Sequence, residues 1–400
     1  VAIGPAPARQ SYLVMDAILE AARRTGAEAV HPGYGFLSEN WRFAQACAGA
    51  GIVFIGPSPE AIRRMGDKTE ARRLMRAAFV PVVPGSEGPV ADPAEAGRVA
   101  AAVGFPVVLK AASGGGGIGM AQARDPAQLA AAFATAQRRA EAAFGSGALY
   151  VERYLEHSRH VEVQVFGDAH GQVVHLHERE CSLQRRHQKI VEESPAPHLA
   201  PATKAGLTEA AVRGARAIGY ASAGTMEFLV DPAGGFYFLE MNTRLQVEHP
   251  VTEEVTGTDL VVAQLEVAAG APLPWRPEAI GQRGAAIECR IYAEDPARNF
   301  LPSPGTITRL ELPAGDGIRI ESGVAAGSVV TPHYDPLLLK LIVHADGRDA
   351  AIARMARALE GCVIEGVRTT VPFLRRVMDH PDYRRGAVHT QMVERGAFDG

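Results

Sequence analysis

The sequence predicts a chain of mixed α/β and α+β class. A parallel α/β unit comes first, then a small β-unit with a glycine-rich loop, then antiparallel strands leading to a C-terminal mixed β-region. Three observations predict this. Short apolar strands alternate with helices over residues 1–59, the βαβ rhythm of a parallel sheet. The glycines at 114–117 follow closely on an apolar strand. Two strand-like segments flank Asp231-Pro-Ala-Gly-Gly235, a composition that turns the chain back on itself.

The elements follow in order. Val1–Ile3 is strand-like, and an initiator Met and some upstream sequence are expected before it. A helix near Tyr12–Thr25, a strand at Ala27–His31, a helix near Trp41–Ala50 and a strand at Ile52–Ile55 complete the first unit. Good helix formers fill Lys68–Ala78, and Pro81 and Pro84 break the run. Phe105–Lys110 reads as a strand, Ser113–Gly119 as a loop, Ala127–Glu141 as a helix and Ala148–Tyr154 as a strand. Val161–Phe166 and Val173–Glu178 alternate as β-strands. A helix near Pro201–Ile218 ends at Gly219, a C-terminal cap glycine. Gly224–Val230 and Phe236–Met241 form the hairpin. Residues 284–400 read as strands with one late helix near Ala350–Leu359.

Composition bounds the function. A length of 400 residues suits two to three domains, and 47% hydrophobic with 22% charged residues is an ordinary globular balance. A net charge of −4 offers nothing to nucleic acid or an anionic membrane, so neither is expected as a partner. No apolar run reaches the roughly 18 residues of a membrane span, and no signal peptide is visible. Cys47, Cys181, Cys289 and Cys362 are far apart, which suits free thiols in a reducing cytoplasm. Only five of the 41 Lys and Arg residues are lysine, so each lysine is a position to inspect.

Lys110-Ala-Ala-Ser-Gly-Gly-Gly-Gly-Ile-Gly-Met120 fits two readings, a surface linker or a loop whose backbone N–H groups converge on phosphate. It is not a Walker A loop, since no Gly-Lys-Ser/Thr follows. Glu240-Met-Asn-Thr-Arg-Leu-Gln-Val-Glu248 is the strongest feature. Glu240, Asn242, Arg244, Gln246 and Glu248 fall at every second position, on one face of an extended chain. A solvated face is the plain alternative, but the wholly apolar Phe236–Leu239 just before favours a lined pocket. If Val230 faces Gly235, Glu227 faces Phe238, one pair from Glu240 and on the same side. Glu227, Glu240 and Asn242 are hard oxygen ligands, suited to Mg²⁺ or Mn²⁺. Arg244 can grip a small planar oxyanion and Glu248 can act as a general base.

Cys181-Ser-Leu-Gln-Arg-Arg-His-Gln-Lys189 reads as a solvated basic face or as a place where Gln184, His187 and Lys189 meet an anion. His31-Pro-Gly-Tyr-Gly-Phe-Leu-Ser-Glu-Asn40 is a turn directly after a strand, where α/β sheets place ligand sites, or simply a tight turn. His160 on a strand reads, alone, as a structural histidine.

Together with Met65-Gly-Asp-Lys68, Glu152-Arg-Tyr-Leu155, Arg159-His-Val-Glu162, Glu288-Cys-Arg290 and Tyr334-Asp-Pro336, these segments resemble the biotin carboxylases, a family of ATP-grasp enzymes. The resemblance runs through nearly the whole chain. It implies a truncated N-terminal α/β domain over 1–64, an ATP-grasp domain over 65–274 with a small mobile lid at about 82–154, and a C-terminal domain over 284–391. It implies ATP contacts from Lys68, Lys110, Gly115, Gly116, Gly117, His160, Gln184, His187 and Leu229, with Glu152 and Leu155 at the adenine hinge. It implies two divalent ions, Mg²⁺ or Mn²⁺, on Glu227, Glu240 and Asn242. Lys189, Arg244, Gln246 and Val247 would bind bicarbonate and Glu248 would deprotonate it. Arg290 would face the biotin ureido oxygen, with Tyr34 near the biotin pocket. The implied partners are a biotin carboxyl carrier protein, the carboxyltransferase and a second copy of the chain. The implied reaction is ATP-dependent carboxylation of carrier-bound biotin through carboxyphosphate, most simply in acetyl-CoA carboxylase and fatty acid synthesis. The alternatives are propionyl-CoA, methylcrotonyl-CoA or pyruvate carboxylase, another ATP-grasp ligase, or a non-catalytic nucleotide-binding protein. Two positions depart from the family: Ile118 and Ala121 stand where it carries basic residues.

Overall fold

The computed structural model describes residues 1–112, 119–186 and 188–399. Its centre is an eight-stranded antiparallel sheet. In spatial order the strands are Phe236–Asn242, Ser222–Val230, Arg159–Gly167, Val173–Arg185, Gln188–Ser194, Ala285–Tyr292, Leu337–Ala345 and Ile318–Ser322. Both faces are covered. The helices Lys68–Ala77 and Pro201–Ala217 pack Met75, Leu207 and Ala211 on Val161, Val163 and Phe228. Leu260–Ala268 covers Phe166 and Leu176 from the other side. Further along the sheet, Arg348–Glu360 and Val371–Asp379 bury Ile287, Cys289 and Leu341, while Val251 and Val255 of His249–Thr256 bury Ala286 and Ile342 on the opposite face.

The first unit is built as its rhythm predicts. Ala29–Val30 pairs in parallel with Val53–Phe54, between helices Met15–Thr25 and Trp41–Gly49. The Asn40 side chain caps the second helix by accepting from the amides of Arg42 and Phe43. The small unit is a three-stranded antiparallel sheet, Ala121–Ala123, Val107–Ala111 and Leu149–Arg153, with Pro93–Val103 and Pro126–Phe144 against it.

Several expectations are corrected. Val1–Ile3 is not a strand, because it has no pairing partner among the described residues. The hairpin pairs Val230 with Phe236, not Gly235, and a bulge between Phe238 and Glu240 then sets Glu240 directly opposite Glu227. The row from Glu240 to Glu248 is not one strand. Pairing stops at Asn242, and Glu248 sits at the start of the helix His249–Thr256. The C-terminal region holds a second long helix, Val371–Asp379, whose Pro372 lies in the first turn where a missing N–H costs nothing. Leu260–Ala268 carries apolar residues all round and so shows no helical stripe in the sequence.

Candidate active site

A cavity of about 390 Å³ opens between the small three-stranded unit and the large sheet. Lys68, Lys110, Glu152, Leu155, His160, Gln184, Leu229, Glu227, Glu240 and Asn242 line it, as do Lys189, Arg244, Gln246, Val247, Glu248 and Arg290. Gly115, Gly116, Gly117, Ile118 and His187 lie outside the described residues. Tyr34 does not line the cavity; it is 40% exposed in the turn after Ala29–Val30. The same turn does reach the site through Glu39, which accepts from Arg244 Nε at 3.0 Å and from the Thr243 amide at 3.0 Å.

At one end two lysines converge. Lys110 Nζ lies 2.6 Å from Glu152, whose other oxygen takes Arg72. Burial disfavours the Lys110 ammonium, but Glu152 beside it wins and holds its pKa above the usual lysine value. Lys68 is desolvated and its pKa falls, with Glu240 only partly offsetting burial. Both lysines offer charge to an anionic ligand.

The middle of the cavity is a carboxylate cluster around Lys189. Its Nζ donates to Glu162 at 2.5 Å, to Glu248 at 2.6 Å and to Glu227 at 2.9 Å. Glu227 also takes Asn242 Nδ2 at 2.8 Å and Gln246 Nε2 at 3.0 Å, and His160 Nε2 lies 3.1 Å away. Glu240, facing Glu227 across the strand pair, is pushed up by burial and then by the Glu227 charge. Buried Glu227 and half-buried Glu240 in direct register, with the Asn242 amide beside them, form a hard oxygen set that a divalent cation would satisfy.

The far end presents Arg290 and Arg244. Arg290 donates to Glu192 at 2.6 Å through Nε and to Glu248 at 2.8 Å through Nη2. Burial alone would raise the Glu248 carboxyl, but Lys189, Arg290 and Arg179 hold it well below the usual range. It is therefore ionised and able to accept a proton. Arg244 Nη2 donates to Asn242 Oδ1 at 3.0 Å, tying the anion-gripping arginine to the metal-suited amide.

Sequence reasoning missed several of these groups. Arg179 is 0% exposed and donates to Glu162, Gln164, Thr252, Thr225 and Gln246, joining three strands' worth of side chains beneath the site. Lys340 Nζ donates to the Val247 carbonyl at 2.8 Å and fixes the turn that carries Glu248. Thr390, Gln391 and Glu394 close one wall from the chain's far end, where no motif marks them.

Comparison with known proteins is consistent along the chain. The biotin carboxylase N-terminal domain matches residues 1–62, the ATP binding domain of the carbamoyl-phosphate synthase L chain matches 67–276, and the biotin carboxylase C-terminal domain matches 288–395. A biotin carboxylase of Halalkalibacterium halodurans is 54% identical over 98% of this chain and 86% of its own. A pyruvate carboxylase component of Methanothermobacter thermautotrophicus is 50% identical over 98% of this chain and 79% of its own. The biotin carboxylase domain of Hydrogenobacter thermophilus 2-oxoglutarate carboxylase, solved as a dimer with MgADP, ADP and bicarbonate, superposes with a TM-score of 0.94 at 47% identity, covering 100% of this chain and 88% of that one.

Proposed function

The chain belongs to the biotin carboxylases, ATP-dependent ligases, and from that premise we propose a role for each side chain in the cavity. The observation that carries the assignment is the convergence of two lysines, three acidic or amide ligands and an Arg–Lys–Glu cluster on one cavity. ATP enters with its adenine towards Glu152, Leu155 and Leu229, and Lys68, Lys110, His160 and Gln184 contact it along the cavity. Glu227, Glu240 and Asn242 would hold Mg²⁺ or Mn²⁺, which when bound supplies charge neutralisation at the transferring phosphoryl group.

Bicarbonate is a poor nucleophile until it loses a proton. Arg244, Lys189, Gln246 and the Val247 backbone hold it, and Glu248 takes that proton. The resting geometry supports the assignment. Lys189 and Arg290 clamp Glu248 and weaken it as a base, and an entering anion competes for the same cations. The base strengthens as its substrate seats. Attack on the γ-phosphorus breaks its bond to the ADP oxygen and gives carboxyphosphate, which splits into CO₂ for biotin and phosphate. Arg290 stabilises the ureido oxygen as the biotin nitrogen gives its proton to the released phosphate and attacks CO₂, in the manner of an oxyanion hole.

The biotin is carried on a biotin carboxyl carrier protein, and the acceptor, through carboxyltransferase subunits, is acetyl-CoA. Relatives named simply biotin carboxylase name no other acceptor. A second reading, pyruvate, is favoured by the Methanothermobacter relative. The working form is a homodimer, as in the Hydrogenobacter structure. The location is the cytoplasm, a reading supported by four cysteines that are free and buried, as suits a reducing compartment. ATP cleavage by the chain should require both biotin and bicarbonate; cleavage independent of either sinks the assignment. Adding carrier and carboxyltransferase should yield malonyl-CoA from acetyl-CoA, whereas oxaloacetate from pyruvate would select the second reading.

A further inference from the structure

Glu288 shares a motif with Arg290, yet no step above uses it. It stands on Ala285–Tyr292, in register with Glu192 on one neighbouring strand and Ile342 on the other. Alternation puts Ala286, Glu288 and Arg290 on one face, the face sealed by Val251 and Val255 of His249–Thr256. Glu288 is 0% exposed, and among the described residues neither of its carboxyl oxygens has a hydrogen-bond partner. Glu192 is equally buried. One of its oxygens takes Arg290 Nε and the other has no partner among the described residues.

The surrounding cations are already engaged. Lys340 serves Glu321 and the Val247 carbonyl. Arg319, on the edge strand, serves Glu253 and Glu321. The ring of His249 is on the Gln246 carbonyl, and that of His344 on the Arg283 carbonyl. Arg290 spans Glu192 and Glu248. Two ionised carboxylates in cross-strand register, sealed from water and short of cations, repel each other at a cost the fold relieves by binding a proton.

We infer that Glu192 and Glu288, in cross-strand register, hold one proton between them, so that a single negative charge anchors Arg290 from behind. Glu288 is thus a positioning residue: it touches no substrate and acts through Glu192. The direction of titration agrees. Burial raises Glu288 well above the usual carboxyl value, and burial, opposed by Arg290, brings Glu192 to about 7. A lone, neutralised charge on Nε leaves the Nη groups of Arg290 free to turn from Glu248 to the biotin oxygen. A doubly charged pair would pull the guanidinium back into the sheet.

The inference rests on Arg290 facing biotin, and its test separates the two claims. Infrared difference spectra of the full chain without substrates, wild type against Glu288→Gln, should show a protonated carboxyl band that the substitution removes. Biotin-dependent ATP cleavage should fall about tenfold in kcat for Glu288→Leu, the size of one lost hydrogen bond to a charged group, and Glu288→Gln should recover most of that loss. The KM for ATP should stay put in both. Absence of the carboxyl band overturns the shared proton whatever the kinetics. A Leu variant as active as the Gln variant overturns the positioning role. Failure of the wild type to need biotin overturns the assignment of Arg290 while leaving the infrared result to stand alone.

Discussion

Lys189→Arg is the sharpest test of the carboxylate cluster, because it keeps the charge and changes only its shape. The ammonium meets Glu162, Glu227 and Glu248 at 2.5, 2.9 and 2.6 Å, from two strands and the start of a helix. Three donors in a tetrahedral head can serve three carboxylates in different directions. A planar fork pairs well with one carboxylate and misses the others. Losing two charge-assisted bonds, each worth about 1.5–3 kcal/mol, costs at least about 3 kcal/mol. The side chain is only 11% exposed, so solvent screening gives little back. If that cost falls on the transition state, kcat drops about 10²-fold. The assay is ATP cleavage with free biotin at saturating bicarbonate, with thermal melting as the control for folding. A folded Lys189→Arg enzyme within about threefold of wild type refutes the shape argument, and the cluster then needs only a charge.

Arg290→Ala should lower biotin-dependent turnover by on the order of 10²–10³, as removal of an oxyanion donor does, while nucleotide binding measured by calorimetry is unchanged. Arg179→Met should destabilise the chain by about 3–5 kcal/mol in urea unfolding, because it leaves buried Glu162 with Lys189 as its remaining hydrogen-bonded cation and takes a donor from Gln164, Thr252, Thr225 and Gln246. Glu248 is ionised in the fold with its pKa below the unfolded value of about 4.3. Its stabilisation is therefore complete above that value and is lost as pH falls through the folded pKa. Glu248→Gln should accordingly show a smaller drop in melting temperature than wild type on acidification from about pH 6 to about pH 3.

Most of the site could be read from the sequence because its residues are dense and local. Glu240, Asn242, Arg244, Gln246 and Glu248 all reach the cavity, although only the first two do so from a strand. The turn from Thr243 to Val247 continues the same aim by different backbone. The hairpin register was not legible, since one extra residue at Leu239 leaves no mark in a run that is apolar throughout. Arg179, Glu162, Glu192 and Glu288 hid for a related reason. Charged residues on alternating strand positions imply a wet face, and here helices cover both faces of the sheet. Thr390, Gln391 and Glu394 come from a segment over 140 residues away from the nearest part of the carboxylate row. No local pattern can report such a meeting.

The eight-stranded sheet crosses the boundary between two segments that sequence comparison separates. Gln188–Ser194 comes from the matched nucleotide-binding segment and Ala285–Tyr292 reaches into the C-terminal one, yet they are neighbours in a single ladder from Cys289–Val191 to Ala286–Ser194. A cut near residue 280 would bare that ladder and turn Gln188–Ser194 into an open edge. It would also part Lys189 and Glu192 from Arg290. These segments are therefore poor cassettes. A chimera assembled at their apparent junction inherits its strand pairing from two parents, and any viable recombinant has to take both sides of the seam from one.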